Sequence, residues 1–160
     1  MKLITKTSIQ FMFILMFSLA TGLFAQTSKS STADEVIALT YKIWKAEMDK
    51  NTMEMNKYLS DDYTEFNSDY STRIDGKKTN VALYDVFIKE GGIELAAEML
   101  NPKVQVYGDV AILSYNYAGI VRDNGGKIIN TKAKSTRVYA KINGDWKLVH
   151  ANFGYDPGNN

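Results

Sequence analysis

Two runs decide the fold: residues 100–117, LNPKVQVYGDVAILSYNY, and residues 135–153, STRVYAKINGDWKLVHANF. In each, β-branched and aromatic residues recur between short punctuation signals, the pattern of strands joined by tight turns. Reading outward, strand-like segments cover 93–100, 104–107, 110–122, 127–142 and 146–155. They are separated by Asn101-Pro102, Gly108-Asp109, the stretch 123–126 (DNGG) and Asn143-Gly144-Asp145. The last is the strongest hairpin signal, because Asn-Gly accepts the positive φ values of a type I′ turn. With a period of two, Ser135, Arg137 and Tyr139 share one face of their strand, and Trp146, Leu148, His150 and Asn152 share one face of the next.

Upstream the period changes to that of helices. Thr32 and Glu35 have capping-box spacing, and Ile37, Tyr41, Trp44 and Met48 follow at i, i+4, i+7 and i+11. That is one apolar stripe on a helix of four to five turns, stopped near Asn51. Residues 53–59 predict a second short helix with Met55 and Leu59 on one side, 63–67 (YTEFN) a brief strand, and 68–75 a loop. A third helix over 78–89 ends at Gly91-Gly92, where glycine supplies the C-terminal cap. Helices first and a meander second is the segregated α+β pattern. The expectation is a cone-shaped curved antiparallel sheet wrapped around the long N-terminal helix, with the shorter helices closing a pocket.

The first 25 residues stand apart. Lys2 and Lys6 precede an apolar run from Ile9 to Leu19, and Ala25 follows as the small residue of a cleavage site, the layout of a secretory signal peptide. The apolar run is shorter than a membrane-spanning helix requires, so the expectation is cleavage near Ala25 and a periplasmic or secreted product without a stable membrane anchor. Removing two lysines turns the formal charge of +1 into −1, which leaves no electrostatic footprint for a nucleic-acid backbone. The chain has no cysteine, so an exported domain must hold together through its hydrophobic core. One histidine and no cysteine leave a zinc site without its usual ligands, and the acids between Asp61 and Asp75 do not match a calcium-loop spacing. Neither a metal nor a cofactor is expected.

The two opening runs resemble the association domain of calcium/calmodulin-dependent protein kinase II and its stand-alone bacterial relatives, which belong to the nuclear transport factor 2-like superfamily. The specific pattern is Thr136-Arg137-Val138-Tyr139, a turn, then Asp145-Trp146-Lys147-Leu148-Val149-His150. With the signal peptide over 1–25 and a polar, flexible mature N-terminus over 26–31, the resemblance implies a nuclear transport factor 2-like domain over 32–156, followed by a tail over 157–160. It also implies a pocket in which Arg137 matches a family arginine. Tyr117 and Phe153 fall where that pocket offers further arginines, and Asn152 falls where many relatives carry a second histidine of a His-x-His pair. One of three cationic positions remains.

On this reading the domain binds a small, partly apolar ligand or a carboxylate. Arg137 is the polar anchor, Tyr117, His150 and Asn152 lie near the mouth, and Tyr115 and Trp44 complete the lining. Arginine suits a carboxylate because its planar fork donates two parallel hydrogen bonds. An empty pocket would pair Arg137 with an acid such as Glu98. Two rival readings stay open. One is an enzyme of the SnoaL or ketosteroid-isomerase type, moving a proton with His150 or with a carboxylate such as Glu98 or Asp62. The other is a homo-oligomeric assembly module, since strand 127–142 carries apolar residues on both faces, which predicts a homodimer formed sheet to sheet.

Overall fold

The structure, a computed structural model, describes residues 31–156; the expected signal peptide over 1–25, most of the 26–31 stretch and the tail lie outside the described residues. Helix α1 spans Thr32–Met48, and its N-cap is Ser31. The Ser31 hydroxyl accepts from the Asp34 backbone N–H, and the Asp34 carboxylate accepts from the Ser31 backbone N–H, each at 3.2 Å. The sequence carries two overlapping capping-box registers, and the one starting at Ser31 forms, one residue before the Thr32–Glu35 expectation.

The buried face of α1 is Val36, Thr40, Ile43, Trp44 and Ala46. The 37-41-44-48 stripe is therefore rotated by one position: Trp44 is buried, Ile37 and Met48 only partly, and Tyr41 is 45% exposed. The row turned to the sheet is 36-40-43-47, which Thr40 and Glu47 hid by being polar. Thr40 is satisfied in the core, donating to Val36 O at 3.0 Å or sharing a 2.7 Å hydrogen bond with the Tyr139 hydroxyl.

Helix α2, Thr52–Asn56, is capped by Asn51, whose side chain accepts from Glu54 N–H at 3.0 Å. Leu59 then opens strand β1, Leu59–Asn67, so this strand starts where the sequence predicts helix. Strand β2, Ile74–Asp75, is a two-residue edge, and helix α3, Lys77–Lys89, covers the lower end of the sheet. Gly91, at φ 98°, lets the chain leave α3 as expected.

Four long strands follow: β3 Ile93–Tyr107, β4 Val110–Arg122, β5 Ile128–Ile142 and β6 Asp145–Tyr155. The sheet order is β2-β1-β6-β5-β4-β3. Hairpins make β3 to β6 antiparallel, and Asn143 (φ 53°) with Gly144 (φ 90°) supplies the predicted turn. The expectation of a wholly antiparallel sheet is corrected at one place: β1 runs parallel to β6. No tight turn joins those two strands, so nothing forces them to oppose.

Besides a register shift between Leu59 and Thr64 where β1 meets β6, three irregularities shape the sheet. Asn101-Pro102 does not break β3; Asn101 adopts φ 52° and the register slips between Leu100 and Lys103. Pro102 is tolerated because β3 is an edge strand and a bulge has no ladder hydrogen bond to lose. A second slip lies between Glu94 and Ala96. The third sits on β6, where Val138 pairs with His150 but Tyr139 pairs with Leu148, leaving Val149 as an extra residue. The sheet curves around α1, and the core unites both: Ile43, Trp44, Leu113, Tyr115, Tyr139 and Leu148 are among its buried residues.

Candidate functional site

The concave face of the sheet, α1 and α3 enclose a cavity of about 510 Å³, within the usual range for a small-ligand site. Strand β5 sends Ser135 and Arg137 into it, as alternation predicts, and both are buried. Arg137 Nε–H donates to the Tyr115 hydroxyl at 2.9 Å. Its guanidinium carbon lies 5.1 Å from the Phe153 ring centroid and 5.9 Å from that of Trp44, close enough for both π faces to stabilise the charge. Among the described residues no carboxylate forms an ion pair with Arg137. The Ser135 hydroxyl, 3% exposed, has no hydrogen-bond partner.

Three glutamates line the same cavity, whose lining also includes the exposed Asp69 and Lys132. Glu65, on β1, is buried and accepts from Tyr63 Oη at 2.7 Å, Asn67 Nδ2 at 3.0 Å and Asn80 Nδ2 at 3.1 Å. Glu47, one turn beyond Trp44 on α1, and Glu94 of β3 both line the cavity, close enough that each shifts the other's titration. Burial, helped by the neighbouring Glu94 charge, pushes Glu47 up to about 8 against the opposing pull of Arg137. Burial also raises Glu94, although the Tyr117 hydroxyl, Arg137 and Glu47 all favour its charged form. Tyr117 donates to Glu94 Oε1 at 2.5 Å, and burial followed by the Glu94 charge keeps its phenol well above the usual range. Near neutral pH the Glu47–Glu94 pair therefore holds a proton, an acid able to donate into the cavity or to give way to another cation.

Trp44, Tyr115, Tyr117 and Arg137 come together here as the sequence predicts, with Phe153 beside them. His150 and Asn152 do not. The extra residue at Val149 shifts the alternation of β6, so Leu148, Ala151 and Phe153 face inward opposite Tyr139, Arg137 and Ser135. His150 and Asn152 lie on the other side of the sheet. There His150 Nδ1 is 2.9 Å from the Thr64 hydroxyl and its ring meets Phe66 edge-on at 6.1 Å, while Asn152 is exposed. Neither can serve the cavity as mouth group or base.

Glu98 and Asp62 are exposed as well, so the expected partner of Arg137 is absent and the acids of the cavity are different ones. Glu47 was readable as the end of the 36-40-43-47 row. Glu65 shares parity with the buried Tyr63. Glu94 had no signal, because plain alternation inward from Met99 selects Leu95, and the bulge exposes Leu95 by 39% and turns Glu94 in.

Residues 32–153 match the family model of the calcium/calmodulin dependent protein kinase II association domain. Among solved structures, an NTF2-like protein from Cytophaga hutchinsonii is similar with a TM-score of 0.69 at 15% identity, covering 79% of this chain and 100% of that one. The association domain of C. elegans CaMKII gives 0.62 at 21% identity, covering 76% and 93%. The S. rosetta CaMKII hub gives 0.65 at 20%, covering 79% and 98%. No curated protein matches the sequence. At these identities the structures share the fold.

Proposed function

The chain belongs to the calcium/calmodulin dependent protein kinase II association domain family, and from that premise we propose that it is an exported ligand-binding domain whose cavity takes a small organic carboxylate on Arg137. One observation carries the reading: a buried guanidinium that faces a cavity and has no carboxylate against it. Taking such a charge out of water costs several kcal/mol unless an anion and hydrogen bonds offset it. Tyr115 and two aromatic faces supply part of that compensation, and a ligand carboxylate would supply the rest. Calorimetry against short carboxylic acids tests it. Arg137→Ala should weaken binding more than Arg137→Lys, because lysine keeps the charge and loses the fork. Equal affinity in wild type and Arg137→Ala would refute the anchor.

The outward face of the sheet supports a second element, assembly of the domain with copies of itself. By register Phe66, Leu100, Val110, Ile120 and Ile128 point away from the cavity, and each is more than a third exposed. Apolar residues gathered on one face of a sheet favour burial against a partner, and an isologous contact gives a homodimer. A monomer by light scattering at micromolar concentration would overturn this element alone. Export rests on the 1–25 stretch, and N-terminal sequencing of protein from its native host should begin at or near Gln26.

A further inference from the structure

Arg137 is one end of the cavity's charge, and the acids form the other. Glu65 has its hydrogen bonds from Tyr63, Asn67 and Asn80. Glu47 and Glu94 differ: both line the cavity, Tyr117 donates to Glu94, and no described lysine or arginine forms an ion pair with either. Two neighbouring carboxylates in one cavity repel, and burial disfavours both charges, so the pair keeps a proton near neutral pH. A proton is the least cation that can occupy that place. An ammonium group, with three donors and a full charge, is a better match to a pair of carboxylates.

A second observation at the opposite end points to a ligand independently of the acids. Ser135 is 3% exposed, lines the cavity beside Arg137 and leaves its hydroxyl unpaired. A buried hydroxyl without a partner is costly, and a carboxylate seated on Arg137 would accept from it. Both ends lie near one aromatic residue. The Arg137 guanidinium is 5.9 Å from the Trp44 ring centroid, and the Tyr117 ring, whose hydroxyl holds Glu94, is 5.7 Å from the same centroid.

We propose that the cavity takes a small zwitterion, with its carboxylate on Arg137 and Ser135, a short carbon chain along Trp44, and a protonated amine at Glu47 and Glu94. The proposal rests on the carboxylate reading of the cavity and narrows its ligand class. A plain carboxylate matches only the Arg137 end of this lining, whereas a zwitterion matches both ends. When the ammonium enters, the proton shared by Glu47 and Glu94 leaves to solvent, so the charge at the amine end is conserved and the carboxylate's charge is met by Arg137.

The test is calorimetry on the purified protein near neutral pH, with straight-chain fatty acids from propionate to heptanoate and their ω-amino counterparts. At the best length the amino acid should bind at least about tenfold tighter than its plain analogue. The heat should vary with the ionisation enthalpy of the buffer in the sense of proton release. Glu47→Gln, an isostere that cannot ionise, should cut the advantage to about threefold or less and leave the plain acid's affinity undiminished. Plain acids binding as tightly as amino acids would overturn the zwitterion and leave the Arg137 reading standing. So would an amine advantage that survives the double change Glu47→Gln and Glu94→Gln. Binding by neither series would remove the carboxylate reading itself and this inference with it.

Discussion

Replacing Glu47 by glutamine should make the protein more stable at alkaline pH and change little in acid. The folded state raises Glu47 from 4.5 to about 8, mainly by burial. Between those values the native chain holds a proton that the unfolded chain has lost. Stability then falls as pH rises, because the folded state binds more protons. The contribution is fully present below about 4.5, erodes through the window and is gone above about 8. One pKa unit corresponds to about 1.4 kcal/mol, so the full shift corresponds to about 5 kcal/mol. Water entering the open side of the cavity reduces this, and we expect about 2–3 kcal/mol between acid and alkaline limits. Glu47→Gln keeps the shape, and it cannot ionise. Urea midpoints measured from about pH 5 to about pH 9 should diverge steadily, with the variant ahead by that amount at the alkaline end. Parallel curves for the two proteins would show that Glu47 is not a buried acid.

Trp44→Ala should destabilise by about 3 kcal/mol, the lower end for a buried tryptophan, since the space it vacates opens onto an existing cavity; denaturant titration reporting a loss below about 1 kcal/mol would mean the indole is not core. Thr40→Val should cost about 1–3 kcal/mol, because it leaves the Tyr139 hydroxyl buried without its 2.7 Å partner; a neutral result by thermal melting would place water or another group there. His150→Ala should leave carboxylate affinity within about twofold of wild type, as the ring sits on the outward face, and a tenfold loss by calorimetry would put the histidine back at the ligand.

Strand identity and Arg137 were legible because the 135–140 segment of β5 is regular: alternation there places Ser135, Arg137 and Tyr139 inward, as the structure has them. Alternation failed on β6 and β3 for one physical reason. A bulge adds a residue without adding a pairing, and every side chain beyond it changes face. No residue type marked these bulges decisively. Val149 is an ordinary strand residue, and only Asn101, with its positive φ, sits in a dipeptide that reads as irregular. The helix erred differently. Apolar counting on α1 skipped Thr40 and Glu47, so the stripe was drawn one position late and the cavity acid at its end was missed. Thr40 is core because the Tyr139 hydroxyl waits for it on the facing sheet, and that long-range fit has no local signature.

The extra residue at Val149 separates two properties of the cavity that are usually inherited together. Deleting Val149 would bring Leu148 and His150 next to each other, and they would still pair with Tyr139 and Val138 as they do now. The same side chains would face Arg137, but the strand would lose its local bend, and with it some of the sheet's coiling. Residue identity at Ala151 and Phe153 sets the chemistry of that wall, while residue count between Leu148 and Ala151 sets its curvature. Descendants of this chain could therefore deepen or flatten the chamber by a single-codon insertion or deletion, without touching a group that meets the ligand.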